Sequence, residues 1–180
     1  LMEKNKQHEE KVNVEQIDEF DNQGDALTGG YIMKRDRVGQ GEIAISAGGY
    51  GSLVFVYPKQ PTTQQRSYMS TTITRAVSTL RPTLGSQEDA ELIDFNAFLD
   101  HHLLNFFPKN VDAFRLSGYF HKDRLGPLAM GPVWDYDRTM GCSDDARAAD
   151  PLGWRNNNSG DGGTRSVSYT HLTLPTKVTV

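Results

Sequence analysis

Cysteine is nearly absent: Cys142 stands alone among 180 residues, so the chain can form neither an internal disulfide nor a thiolate metal cluster. A disulfide-built miniprotein is excluded. Neither sign of charge dominates, with 19 Lys and Arg against 23 Asp and Glu and a formal net charge of −4. That mild acidity lacks the basic footprint of a nucleic-acid binder. Long hydrophobic runs are missing too, so the sequence holds no transmembrane segment. The opening Leu1-Met2-Glu3-Lys4 leads into charged residues rather than the apolar stretch of a signal peptide. Because it starts on Leu, the chain reads as a piece whose true start lies upstream, which leaves export open.

What is present suffices for one domain, or one lobe of a larger one. A charged first segment, Met2 to Asp25, contains the alternating patch Val12-Asn13-Val14. Strands are expected at Gly30 to Arg35, Glu42 to Ser46 and Leu53 to Tyr57, separated by Gly-rich turns, as a strand-and-turn meander. Pro58 and Pro61 end it, and Thr62 or Thr63 offers an N-cap oxygen for a helix over Gln64 to Leu80. On that helix Tyr68, Met69, Ile73, Ala76, Val77 and Leu80 share a face, and Pro82 and Gly85 stop it. A second helix starts near Asp94. Its broad apolar stripe, Phe95, Phe98, Leu99, His102, Leu103, Phe106 and Phe107, predicts a helix buried in a core, with His102 a satisfied core residue.

Tyr119-Phe120-His121, the turn Lys122 to Gly126 and Leu128-Ala129-Met130 read as a β-hairpin. It is flanked by two acid-bearing loops, one with Asp112 and one with Asp135 and Asp137. Such a hairpin can bring both loops to one end of the structure. Two acids so placed suit a magnesium-phosphate site, because Mg²⁺ takes one or two carboxylates together with phosphate oxygens and water. From spacing alone an alternative stands beside it: loop Asp residues commonly hydrogen-bond nearby backbone. Gly39 to Gly51 lacks the Gly-Lys-Ser/Thr ending of a phosphate loop and reads as hairpin turns.

Residues Asn110 to Asp123, followed by Gly131-Pro132-Val133-Trp134-Asp135-Tyr136-Asp137 and Gly141, resemble the CotH kinase family. Upstream, Leu27-Thr28-Gly29-Gly30-Tyr31 and Tyr57-Pro58-Lys59 fit the same pattern. The resemblance covers residues 1–145, leaving a polar loop or linker at 146–165 and a tail at 166–180 that is set aside as translated adapter read-through. It implies an α+β chain with a divergent protein-kinase-like fold, of which this is a fragment mainly of the large lobe. The implied activity is transfer of phosphate from ATP, with Mg²⁺, to Ser or Thr hydroxyls of a protein substrate. By motif, Asp112 becomes the catalytic aspartate that orients the hydroxyl, and Asp135 a metal ligand, with Asp137 either a second ligand or a structural partner. Some family members carry, five residues after the first Asp, the Asn that kinases use as a metal ligand. Here that residue is Ser117, a neutral and weaker ligand at the cofactor site. Arg115 is expected in a surface salt bridge, and Trp134 packed under the metal turn. The lobe that supplies a phosphate-binding Lys is expected upstream, so the chain by itself is expected to be inactive. Relatives imply an extracellular, cell-surface or spore-coat setting. The competing expectation is a non-catalytic surface or coat-assembly protein that binds protein or carbohydrate.

Overall fold

A computed structural model describes residues 6–47, 50–79, 91–113 and 115–142. Among these residues, five strands and two α-helices make an α+β domain: β1 (Tyr31–Arg35), β2 (Ala44–Ser46), β3 (Ser52–Tyr57), α1 (Thr63–Thr79), α2 (Phe95–Phe106), β4 (Gly118–Lys122) and β5 (Leu128–Met130). The strands form one sheet in the order β2-β3-β1-β4-β5, antiparallel at each pairing. This corrects the expected meander, since β1 pairs with β3 and β4 rather than with β2. Burial explains the order. Tyr31, Ile32 and Met33 are apolar on both faces of β1 and essentially inaccessible, so β1 takes the centre of the sheet. The short, half-buried β2 takes an edge, where unpaired backbone can face water.

Alternation along the strands divides the core in two. Tyr31, Met33, Leu53, Phe55, Phe120, Leu128 and Met130 face the helices and pack on Met69, Ile73 and Ala76 of α1 and Phe98 of α2. Ile32 and Tyr119 face the other way, onto Val12 and Val14 of the N-terminal segment and onto Trp134. The alternating Val12-Asn13-Val14 patch therefore covers the second face of the sheet. Burying a side chain such as Ile73 contributes about 1.5–3 kcal/mol.

α1 opens on a reciprocal cap. Thr62 Oγ1 accepts from the Gln65 amide at 3.2 Å while Gln65 Oε1 accepts from the Thr62 amide at 3.0 Å. Thr62, rather than Thr63, is thus the cap. The expected end of α1 at Leu80, with Pro82 and Gly85, lies outside the described residues. α2 begins at Asp94, whose side chain accepts from the Ala97 amide. The Asp94 amide in turn donates to Leu128 O at 3.0 Å, which ties the helix start to β5.

The broad buried stripe expected on α2 is corrected by its actual burial. Phe98, His101 and Asn105 face inward, while Leu99, Leu103, Leu104 and Phe107 are exposed, the last two at 54% and 70%. His101, not His102, is the core histidine; His102 is half-buried and stacks on Phe106. Hydropathy cannot choose the inward side of a helix that is apolar nearly all round. Here the hydrogen bonds of Asn105 choose it. No helix among the described residues is long and apolar enough to cross a membrane.

Candidate functional site

The antiparallel β4–β5 hairpin does what its sequence predicted and sets the Asp112 loop and the Asp135 turn side by side. Its far tip is fixed from outside: Asp123 Oδ1 accepts from the Glu15 amide, Arg124 donates to Gln16 O, and the Leu125 amide donates to Thr28 Oγ1. At its near end the Gly131 amide donates to Tyr119 O at 2.8 Å, and Gly131 adopts φ +131°, a conformation open to glycine. The chain then turns through Trp134, which meets Tyr119 edge-on at 5.8 Å between ring centroids. As expected, Trp134 packs beneath the acidic turn.

Asp135 has φ +64° and Ser117 φ +55°, the left-handed region that non-glycine residues rarely occupy. Ser117 is buried, and its Oγ donates to Asp135 Oδ2 at 2.9 Å. Burial pushes the Asp135 carboxyl above the usual carboxylate range. The Ser117 bond works against that rise, while a hydrogen bond with Asp137 and the charges of Asp137 and Asp112 add to it. The charges of both Asp137 and Asp112 are thus felt at Asp135.

Asp112 sits in a different field. Arg115 Nη2 donates to its Oδ1 at 2.9 Å and Arg138 Nη1 to its Oδ2 at 3.0 Å. The expected Arg115 pair is present, and Arg115 is half exposed. Arg138 comes from the segment after Asp135, which folds back onto the end of α2: Tyr136 Oη donates to Leu104 O and the Met140 amide to Pro108 O.

Two residues that the sequence reading passed over join these parts. Asn110 is fully buried; its Oδ1 accepts from the amides of Asp112 and Ala113, both at 3.2 Å, and its Nδ2 donates to Asn105 Oδ1 at 3.1 Å and to Asp135 O at 3.3 Å. Asn105 Nδ2 donates to His101 O at 2.8 Å. A polar residue inside the apolar run of α2 was the available signal for Asn105. Arg138, also passed over, left none.

The donor set suits a cation that brings other ligands with it. Among the described residues, no group of three or more His, Cys, Asp or Glu side chains is placed to hold a metal ion by itself. Mg²⁺ does not need one, since it commonly keeps water and takes phosphate oxygens beside one or two carboxylates. The crowding of Asp137 and Asp112 around Asp135 is the feature that a cation would relieve.

Fold and site together define an α+β domain whose antiparallel hairpin carries a pair of acidic loops. The chain matches the family model described as CotH kinase protein over residues 1–173, and it belongs to the CotH kinase family. No curated protein and no solved structure matches it.

Proposed function

We propose that this chain is part of an ATP- and Mg²⁺-dependent kinase that phosphorylates Ser or Thr hydroxyls of a protein substrate, in a spore coat or at a cell surface, and that the activity requires the phosphate-binding lobe as well. On this reading the domain is the large-lobe part of a divergent protein-kinase-like fold. The observation that carries the reading is the joining of the two hairpin-linked acidic loops: Asn110 accepts from the Asp112 amide and donates to Asp135 O, and Ser117 Oγ donates to Asp135 Oδ2. Asp135 and Asp137 are the residues to hold Mg²⁺, and Ser117 lies beside them as a weaker oxygen ligand. The metal, when bound, supplies charge neutralisation on the phosphates.

Asp112 has the task of orienting the substrate hydroxyl. The hydroxyl oxygen bonds to the γ-phosphorus, the bond from that phosphorus to the bridging oxygen of ADP breaks, and the hydroxyl proton departs by way of the Asp112 carboxylate. With its charge balanced by Arg115 and Arg138, Asp112 acts through position more than through basicity. The mechanism is then placement plus electrostatics, with no covalent enzyme intermediate. The test is transfer of labelled γ-phosphate to a protein substrate by the kinase with both lobes present, as wild type, Asp112→Ala and Asp135→Ala. Both variants should lose transfer, and wild-type rates in both would refute the assignment.

The two guanidiniums on Asp112, and Ser117 at the position where kinases use Asn, favour a second reading: a non-catalytic coat-assembly or surface protein that binds protein or carbohydrate. Such a protein shows no magnesium-dependent nucleotide binding.

A further inference from the structure

A carboxamide has two donor protons and two acceptor lone pairs, and those of Asn110 are all engaged, across three segments of chain. The bonds also fix which atom is oxygen. Reversing the amide would set its NH₂ against two backbone N–H donors and its oxygen against two oxygen acceptors. The division of labour is sharp: the oxygen holds the Asp112 loop, and the nitrogen holds the Asp135 turn and the last turn of α2. The carbonyl it holds belongs to a residue at φ +64°, a backbone state that persists where surrounding contacts over-determine it.

We infer that Asn110 is a positioning residue which sets the Asp112 loop and the Asp135 turn in register with each other, using α2 as the fixed reference. It touches neither substrate nor metal. It acts through the two backbones that carry the acids, so its loss alters how the acids are presented rather than removing either. The link stands on hydrogen bonds within this chain, and its consequence for phosphoryl transfer rests on the kinase reading above.

Asn110→Asp tests the asymmetry. The variant keeps an oxygen for the Asp112 and Ala113 amides but turns a second oxygen toward Asp135 O and Asn105 Oδ1. Three readouts apply to the purified protein: hydrogen exchange at the two amides, the ¹³C shift of the Asp135 carbonyl, and ATP affinity with and without Mg²⁺. The account expects exchange at Asp112 and Ala113 to stay within about threefold of wild type while the Asp135 carbonyl shift moves. It also expects Mg²⁺-dependent ATP affinity to fall roughly tenfold, the size of one lost buried hydrogen bond, with metal-free affinity unchanged. A general packing defect would move both loops alike, and that result, or no change in either loop, overturns the inference. If Asn110→Asp does not fold, Asn110→Ser carries the test. It should raise exchange at Asp112 and Ala113 about tenfold, as loss of one hydrogen bond does, and wild-type exchange there would overturn the inference. Should the wild-type kinase with both lobes present bind no Mg-ATP, the kinase reading alone falls, because exchange and the carbonyl shift still judge the link.

Discussion

Asp112 and Asp135 stand on neighbouring loops at one end of the same hairpin, yet their surroundings are opposite in kind. Asp112 has a guanidinium on each oxygen, so its negative charge is balanced within the chain. Asp135 has a neutral hydroxyl on one oxygen and two carboxylates nearby, and its proton affinity is raised by burial and by those neighbours. On the proposed kinase reading, the same residue type serves two tasks. A balanced carboxylate suits holding a hydroxyl in place, and an unbalanced one suits receiving a cation. Arg138 makes the contrast a product of the fold, since the segment that follows Asp135 returns to neutralise Asp112.

The largest expected break in this contrast is Asp112→Ala. Phosphate transfer should fall about 10²–10⁴-fold, the usual worth of a positioned proton acceptor, while Mg-ATP affinity measured by calorimetry stays within a few-fold. Asp135→Ala should act on the other side. Mg²⁺-dependent ATP affinity drops about ten- to a hundredfold, as for loss of a charged ligand, and equal loss in both variants would erase the distinction between the loops.

The scaffold beneath both loops offers a test by pH. Burial, aided by the neighbouring His102, depresses His101 to about 4 from its ordinary 6.5. A base depressed in the folded state adds stability above the unfolded value, and that stability is lost as pH falls through the folded value. The unfolding midpoint should therefore decline between pH 6.5 and about 4, and His101→Gln should flatten the decline. Identical slopes in the two proteins would remove His101 from the account.

Smaller effects sharpen the contrast. Ser117→Ala removes the bond that opposes the rise at Asp135, so the carboxyl holds its proton to higher pH. Because protons and Mg²⁺ compete for that oxygen, the acid side of a Mg²⁺-affinity profile should move upward, with a stability cost of about 1 kcal/mol for the lost hydrogen bond. Arg115→Ala should cost under about 1 kcal/mol, since an exposed ion pair is worth little. Arg138→Ala, at a less exposed pair, should cost more. The reverse ranking in denaturant titrations would show that the fold-back of Arg138 is not what tethers Asp112.

Much of this was legible in the residues. Strand positions around Tyr31-Ile32-Met33 and Leu53 to Tyr57, both helices and the hairpin follow from alternation, caps and turn residues, which act over a few positions. Strand order was not legible, because it depends on which strand can be buried on both faces, a comparison across the whole sheet. The orientation of α2 was hidden for another reason: an apolar helix offers several faces, and the choice fell to Asn105 and its partner Asn110 just beyond the helix end. At the site, Asp112, Asp135, Asp137 and Ser117 were all visible as motif residues, and Ser117 and Asp135 meet directly. Arg138 was not, and Asn110 opened the motif run without its role being legible, since a salt bridge and a carboxamide hub leave no periodic trace.

The most direct test of the contrast is calorimetric titration of ATP into the kinase with both lobes present, as wild type, Asp112→Ala and Asp135→Ala, each with and without Mg²⁺. The account predicts magnesium-dependent binding in wild type and Asp112→Ala and its loss in Asp135→Ala. Binding that is indifferent to Mg²⁺ in all three, or absent from all three, would contradict it.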